Sequence, residues 1–381
     1  MSKIISVLND LLDWNLPRIP CANTISSWIQ KSGYKIYKDP QIKNSEDEYA
    51  LIFDESMLVG SERLLLTLGL KAHKENSLAI AMQDVQVLDI SVREKWDSDS
   101  ITQVVEKTLC EFSSRPSYIL SDNDTKLKKA IRLLDCEHVP DVGHTLALCL
   151  EKTYKEEADF KEYMKKLSAL RFKYIMTPVA YLLPPSQRTI ARFMNLRDVI
   201  KWSSRIKENM YKLGPDKEIF LFIGEYSSLI DELQESFNVV DQINHRLKKD
   251  GLNNKILTQE QQRLRLHLKG KTDRQRKLAS LIEDYLSMQK PKFSQNKQPL
   301  HISSDIVESL FSVYKRRKAA NPLYGVTQSI LLLPLLTKKT TMKSKDFKQA
   351  LQEVSLEDIK RWKEKTLSIN QAHKRNRILA A

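Results

Sequence analysis

Glycine is scarce in this chain of 381 residues, and its scarcity excludes two kinds of nucleotide site. The sequence has 9 glycines, whereas glycine makes up roughly 7% of an average protein, and no two of them are closer than nine residues. The Gly-x-Gly-x-x-Gly turn of dinucleotide-binding folds and the Walker phosphate loop both need closely spaced glycines. We therefore expect no nucleotide cofactor of either kind.

Paired cysteines and long apolar runs are also missing. None of the four cysteines belongs to a Cys-x-x-Cys pair or has a histidine at zinc-ligand spacing, so we expect reduced thiols rather than disulfides or a zinc site. The chain does not begin like a signal peptide, with a basic segment and then an apolar run. The longest apolar run, residues 330–336, contains a proline and is too short to span a bilayer. These absences predict a cytoplasmic protein with no membrane partner.

Positive charge, in contrast, is in excess. The chain has 62 lysines and arginines against 48 acidic residues, a net charge of +14. Such a field favours a polyanionic partner, nucleic acid before an anionic membrane. Residues 241–300 alone hold 14 basic and six acidic residues. This segment is predicted to bind a phosphate backbone, with a solvated charged helix as the alternative.

The N-terminal segment is predicted to form two short helices. The apolar spacing indicates one helix over residues 3–14 and a second that Asn23 or Thr24 caps and Gly33 ends. Their connection of about nine residues is longer than the 3–4 usual in a helix-turn-helix. We favour a helical pad that packs on the next domain, and DNA reading stays the alternative.

The remaining chain divides into a region with strands and a region almost without them. From residue 48 the apolar pattern predicts the order βββαβαβα, and residues 145–300 read as helices. The fold class is therefore α/β (α+β), with a mixed five-stranded sheet and a large all-α region. The predicted divisions are a helical segment 1–45, a sheet domain in two parts, 46–157 and 301–340, a basic all-α domain 158–300 between them and a basic helical tail 341–381.

Three acidic residues occupy positions that suit a metal site. Asp54 lies inside the first predicted strand, Asp122 directly follows the fourth, and Glu308 lies on a late helix. The first and fourth strands of a βββαβ sheet are neighbours, so the two aspartates can face one gap. A carboxylate within a strand is costly if it is buried unpaired, and convergent carboxylates suit Mg²⁺. Taken singly, each acid has a structural alternative: a turn contact for Asp54, a helix cap for Asp122 and a surface position for Glu308.

These elements resemble the RNase H-like catalytic core of DDE transposases. The resemblance covers roughly residues 20–335 and is carried by LIFDESMLVGSERLLLTLGL, SYILSDNDTKLKKAIRLL, DVGHTLALCLEK, LLPPSQRTIARFMNLRDVIKW and SDIVESLFSVYKRRKAANPLYGVTQSILLL. The third segment, with Asp141 and His144, is similar to the C/D-x-x-H element of hAT-type transposases and of related bacterial insertion-sequence enzymes. The long interval between Asp122 and Glu308 resembles the helical insertion domain of that group.

The resemblance implies a magnesium-dependent DNA transposase of the bacterial cytoplasm, associated with the nucleoid. By resemblance, Asp54, Asp122 and Glu308 hold two Mg²⁺ ions, for which Mn²⁺ substitutes, and catalyse strand cleavage and strand transfer at the ends of a mobile element. The implied partners are double-stranded DNA, as element ends and as target, and a second copy of the chain on that DNA. Two alternatives stay open: a structure-selective nuclease on the same fold, and a retired transposase that only binds DNA.

Further residues are expected to contact DNA. They are His144, Arg188, Arg192, Trp202, Arg263, Arg265, Arg274, Arg276 and Lys315. Lys315 follows Glu308 by seven residues, as in the Tyr-Arg-Glu-Lys signature of some cut-and-paste transposases, although His301 and Ser304 stand at the Tyr and Arg positions. By resemblance, Trp202 stacks on a displaced base, with a core tryptophan as the alternative. His144 either orients the junction beside the metals or contacts a phosphate, with a helix cap or core residue as the alternative.

Overall fold

The chain forms two compact units. The computed structural model describes residues 2–13, 16–44, 47–59, 62–72, 79–186, 192–293, 299–317, 325–338, 344–367 and 371–379. The first unit, here called the sheet unit, comprises Met1–Lys74, Ile80–Asp141 and Ser303–Ala381. The second, the helical unit, comprises Glu75–Ala79 and Val142–Ile302. In the chain, the helical unit is thus inserted into the sheet unit.

The sheet unit contains a mixed five-stranded sheet. Its strands are β1 (Tyr49–Val59), β2 (Glu62–Lys71), β3 (Val85–Arg93), β4 (Tyr118–Ser121) and β5 (His138–Pro140). The spatial order is β3-β2-β1-β4-β5. β1, β2 and β3 pair antiparallel, while β4 runs parallel to β1 and β5 runs parallel to β4. The predicted mixed sheet is confirmed, and the first and fourth strands are neighbours as expected.

Nine helices among the described residues complete the sheet unit. They are α1 (Ser2–Leu11), α2 (Ala22–Lys38), α3 (Ser98–Leu109), α4 (Thr125–Leu133), α13 (Asp305–Arg317), α14 (Leu332–Leu336), α15 (Ser344–Glu353), α16 (Leu356–Thr366) and α17 (Gln371–Leu379). The predicted turns at residues 60–61 and 74–76 lie outside the described residues.

Helices cover the sheet on both faces. Leu51 and Phe53 of β1 belong to an apolar cluster that includes side chains of α3 and α4. Ile52 between them is fully buried but does not belong to this cluster, because successive side chains of a strand point to opposite faces. α13 packs on β1. Its apolar stripe is buried as predicted and consists of Val307, Leu310, Phe311 and Tyr314. These side chains stand outside the α3–α4 cluster, which places α13 on the face of Ile52.

The second N-terminal helix differs from its prediction at both ends. α2 begins at Ala22 without a side-chain cap and continues through Gly33 to Lys38. Gly33 is buried where a Cβ atom would overlap the backbone carbonyl of Leu331, so this glycine allows close packing and does not end the helix. α2 packs on α14 and β3, which is the arrangement expected of a helical pad.

The helical unit is built from eight helices among its described residues. They are α5 (Val142–Tyr154), α6 (Ala158–Tyr174), α7 (Arg192–Glu208), α8 (Phe222–Glu225), α9 (Ser227–Asp250), α10 (Asn254–Leu264), α11 (Asp273–Met288) and α12 (Lys290–Phe293). A π-helical turn, Arg265–Lys269, follows α10. Within the described residues, no helix combines the length and the apolar character needed to cross a lipid bilayer.

Helix α5 belongs to the helical unit, although the sequence analysis placed it in the sheet domain. It packs against α7, α9 and α11, and it buries Leu146, Leu150 and Tyr154. The Tyr154 hydroxyl forms a hydrogen bond with Ser236 Oγ of α9, 2.8 Å away. The division between the units therefore falls directly after Asp141 rather than after residue 157.

Candidate functional site

Asp54 lies inside β1, and Asp122 directly follows the neighbouring parallel strand β4. Ile52 of β1 pairs with Leu120 of β4, each aspartate lies two residues further along the chain, and β4 ends at Ser121. Neighbouring strands are about 4.8 Å apart, and a step of two residues along a strand returns to the same face. The side chain of Asp54 is therefore on the face of Ile52, where α13 packs. Asp54 is only 7% exposed, so this carboxylate is largely withdrawn from water.

A third aspartate extends the pair into a row. Ser121 at the end of β4 pairs with Pro140 at the end of β5, and the next residues along the two strands are Asp122 and Asp141. Asp54, Asp122 and Asp141 thus follow one another across the sheet, from the middle of β1 to the carboxyl ends of β4 and β5. We call these three residues the aspartate row. Asp141 is completely buried.

The aspartate row adjoins a histidine. His144 is in the first turn of α5, three residues after Asp141 in the chain. Its imidazole and the carboxylates of Asp122 and Asp141 offer ligand atoms that all lie within 4.8 Å of one another. Asp122 and His144 are half-buried. Such a group of carboxylate and imidazole ligands could hold a metal ion.

Hydrogen bonds that Asp141 accepts fix the start of α13, the helix that carries Glu308. Asp141 Oδ2 accepts from the backbone N–H of Ser304 at 2.7 Å and from its hydroxyl at 3.0 Å. Ser304 directly precedes α13, and its carbonyl accepts from the N–H of Val307. Glu308 lies four residues after Ser304, about 6 Å along the helix axis. One end of the aspartate row therefore holds the first turn of α13, where Glu308 is located.

Glu308 and Lys315 are exposed side chains of α13. They are seven residues apart, or about two helical turns, so they lie on the same side of the helix. The buried stripe of α13 occupies a different side and packs towards the sheet. This arrangement leaves both charged side chains accessible from the solvent.

The environment of Trp202 is that of a packed tryptophan. Its indole N–H donates to the carbonyl of Leu182 at 2.9 Å, and its ring meets Phe220 edge-on at a centroid distance of 6.1 Å. A half-buried indole with a satisfied N–H is the usual arrangement of a structural tryptophan. The geometry therefore favours the alternative role over base stacking. Arg188 lies outside the described residues, and Arg192 begins α7 with a side chain that is not described.

Two of the four predicted DNA-binding arginines in residues 241–300 pair with largely buried carboxylates inside the helical unit. Arg274 donates two hydrogen bonds to Glu232, of 2.9 and 3.0 Å, and two to Asp159, of 2.9 and 2.7 Å. Burial lowers the pKa of Arg274, but these carboxylates outweigh it and raise the pKa above its usual value. Arg263 binds the fully buried Glu260 at 2.8 Å. Both charges are thus engaged by the protein itself.

The other two arginines are more exposed. Arg276 donates to Asp273 and to the carbonyl of Lys271. The side chain of Arg265 is 67% exposed, and its guanidinium is 4.0 Å from Glu283. Arg265 and Arg276 therefore offer the more accessible positive charge, and DNA contact by any of the four stays a prediction.

Sequence reasoning undervalued Asp141 and missed the role of Ser304. Asp141 was noted as part of a C/D-x-x-H element but was not counted among the metal ligands or catalytic residues. A usable signal was present, because Asp141 directly follows β5 just as Asp122 directly follows β4. Ser304 carries the ordinary mark of a helix cap, but no local pattern connects it to an aspartate 163 residues away.

Comparison with known proteins leaves the function to be inferred from the site. No protein-family model and no curated protein matches the sequence. The inference must therefore start from the aspartate row and from the elements that hold it.

Proposed function

We propose that this chain is a DNA transposase of the DDE type, with an RNase H-like core and a helical insertion domain. The observation that carries the proposal is that Asp54 lies inside β1 and Asp122 directly follows the neighbouring parallel strand β4, each two residues beyond the paired Ile52 and Leu120. The strand order and the packing of α13 on the same sheet face are what the resemblance to these enzymes requires. Glu308 in the first turn of α13 supplies the third acid.

The donor set fits a divalent cation. Asp54 is a largely buried carboxylate in a strand, a position that costs free energy unless a partner compensates the charge. Asp54, Asp122 and Glu308 would hold Mg²⁺ or Mn²⁺, and His144 stands beside Asp122. When bound, such cations activate the attacking oxygen and stabilise the leaving oxygen of a phosphodiester.

The protein contributes position and charge to this chemistry. Strand backbones fix the spacing of Asp54 and Asp122, and Asp141 ties the first turn of α13 to the same edge of the sheet. Lys315, two turns beyond Glu308, would neutralise a phosphate of the bound DNA. Because a mobile element has two ends to be cut, we expect two copies of the chain to act together on double-stranded DNA.

The test is strand cleavage by the purified protein on duplexes taken from the DNA that flanks its gene. We expect cleavage with Mg²⁺ or Mn²⁺, and its loss in Asp54→Asn, Asp122→Asn and Glu308→Gln, since each change removes a metal-binding charge at nearly constant size. Duplex binding should survive in all three variants. Asp99→Asn, an exposed acid in the first turn of α3, is the matched control and should cleave like the wild type.

The outcomes separate the alternatives. Cleavage at wild-type level by any of the three variants would remove that residue from the site. Cleavage without joining of strands and without preference for the flanking DNA would instead indicate a structure-selective nuclease. Duplex binding by a wild-type protein that never cleaves would indicate a retired transposase.

A further inference from the structure

A buried glutamate directly follows Asp54 and is bound by two cations. The side chain of Glu55 is 8% exposed. Lys126 Nζ of α4 donates to both of its carboxylate oxygens, at 2.7 and 2.8 Å, and Arg63 of β2 donates to Oε1 at 2.8 Å. This ion-pair cluster joins three elements of the sheet unit, and nothing in the proposed chemistry uses it.

Glu55 lies at an irregularity of β1. The pairing with β2 shifts between Asp54 and Met57, where β1 carries one residue more than its partner strand. Such a bulge bends a strand and changes the direction of its side chains. Asp54 is on the face of α13, whereas Glu55 reaches Lys126 on α4, which covers the other face. The ion-pair cluster therefore fixes β1 next to Asp54.

Lys126 also lies in the first turn of α4, directly after the short loop that carries Asp122. β4 ends at Ser121, and Asp124 caps α4 by accepting the backbone N–H of Lys126 at 2.7 Å. The loop with Asp122 is thus held by β4 on one side and by the first turn of α4 on the other. The bond from Lys126 to Glu55 connects that turn to the residue next to Asp54.

We propose that Glu55 and Lys126 are positioning residues that set the spacing of Asp54 and Asp122 for a divalent cation. This inference rests on the proposed function. Stability alone is a weak explanation for the pair, because apolar residues of similar volume often replace a buried ion pair without loss of stability. Groups that orient metal ligands, in contrast, typically change metal affinity by 10–100-fold when they are removed.

The test is direct binding of Mn²⁺ to the full chain without DNA, followed by electron paramagnetic resonance. We expect Lys126→Met to weaken Mn²⁺ binding by about tenfold and Lys126→Arg to restore most of it, since a guanidinium can also bind Glu55. Lys129→Met removes an exposed charge from the same helix and should bind like the wild type. Glu55→Gln is the second variant and should weaken binding in the same direction if Lys126→Met does not fold.

Thermal unfolding, measured in parallel, separates positioning from a purely structural role. A folded Lys126→Met protein that binds Mn²⁺ as tightly as the wild type would overturn the inference, whatever its stability. A wild-type protein that binds no Mn²⁺ would contradict the proposed function, and with it this inference. If the wild type binds Mn²⁺ and Asp122→Asn does not, the metal site stands, and the Lys126 variants alone decide the role of the pair.

Discussion

The two units differ in how they place their acidic side chains. In the helical unit, the buried Glu232 and Glu260 are each bound by an arginine, Arg274 and Arg263 respectively. In the sheet unit, the aspartate row places three aspartates on neighbouring strands, one in the middle of β1 and two directly after β4 and β5. Gathering charges of one sign costs free energy unless a cation joins them. Glu232 and Glu260 are thus each paired with an arginine, whereas acids of the aspartate row lie next to one another.

The largest loss of stability is expected when the ion pair between Arg274 and Glu232 in the helical unit is broken. Arg274→Met should lower the free energy of unfolding by about 3–5 kcal/mol, because it leaves Glu232 buried without its partner. Arg276→Met removes an arginine paired with the exposed Asp273 and should cost at most about 1 kcal/mol. Urea titration of both variants measures the difference. If both variants lost the same free energy of unfolding, the ion pair between Arg274 and Glu232 would contribute no more to stability than the exposed pair of Arg276.

The second prediction concerns the positive charge that the helical unit leaves exposed. Charge reversal of Arg265 and Arg276 should flatten the salt dependence of duplex binding by roughly 0.9 log units per lost phosphate contact. Arg274→Met should leave this slope unchanged, because its guanidinium is engaged by Glu232 and Asp159. Binding titrations at several salt concentrations measure the slopes. An unchanged slope in the double variant would assign these arginines to packing or to a protein partner.

In the aspartate row, in contrast to the helical unit, removal of a charge is expected to raise the free energy of unfolding. Without divalent cations, Asp122→Asn should raise the free energy of unfolding by about 1 kcal/mol, the scale of repulsion between unit charges about 4 Å apart in water. With Mg²⁺ present, the order should reverse, because the wild type gains stability from binding. Thermal unfolding with EDTA and with Mg²⁺ tests both halves. Destabilisation in EDTA would mean that Asp122 serves structure, like the acids of the helical unit.

The smallest effect concerns a half-buried acid of the sheet unit outside the aspartate row. Burial raises the pKa of Asp89, against the hydrogen bond from Ser91 and the charge of Lys107, while Glu111 adds to the increase. A raised pKa means that the folded state binds the proton more tightly, so the stability contributed by this group falls as the pH rises through the raised pKa. Asp89→Asn should therefore be more stable than the wild type at pH 7.

This gain in Asp89→Asn should shrink as the pH is lowered through the raised pKa of Asp89, and it should be gone below the ordinary pKa of an aspartate, about 3.9. Urea titrations at several pH values follow it. Asp99→Asn, which changes an exposed acid, should show no such trend. A gain that stays constant with pH would locate the effect in packing rather than in the charge.

The elements of the sheet unit could be predicted because their signals are local. Alternating apolar runs marked β1 to β3, and the spacing of Val307, Leu310 and Tyr314 marked the buried side of α13. The prediction that Gly33 ends α2 was wrong for the same reason. In the sequence, a glycine within a helix resembles a helix end, and its close approach to the backbone carbonyl of Leu331 is not apparent there.

The contacts that organise the site are not local, and no sequence period reports them. Asp141 and Ser304 are 163 residues apart, and Glu55 and Lys126 are 71 residues apart. The sequence also does not show that Arg274 binds Glu232. An arginine that pairs with a glutamate and an arginine that contacts DNA look the same in a sequence. An excess of basic residues thus predicts a polyanionic partner for a region, but it does not say which of its arginines are available.

The insertion also sets the order in which a ribosome completes the protein. Glu308 follows Asp122 by 186 residues, so at about 5–20 residues per second roughly 10–40 s of translation separate them. During that interval β1, β4 and β5 already exist, while the helix that covers one face of β1 does not. The apolar face of the growing chain is then open to chaperones, and Glu308 is added only after the whole helical unit has been translated.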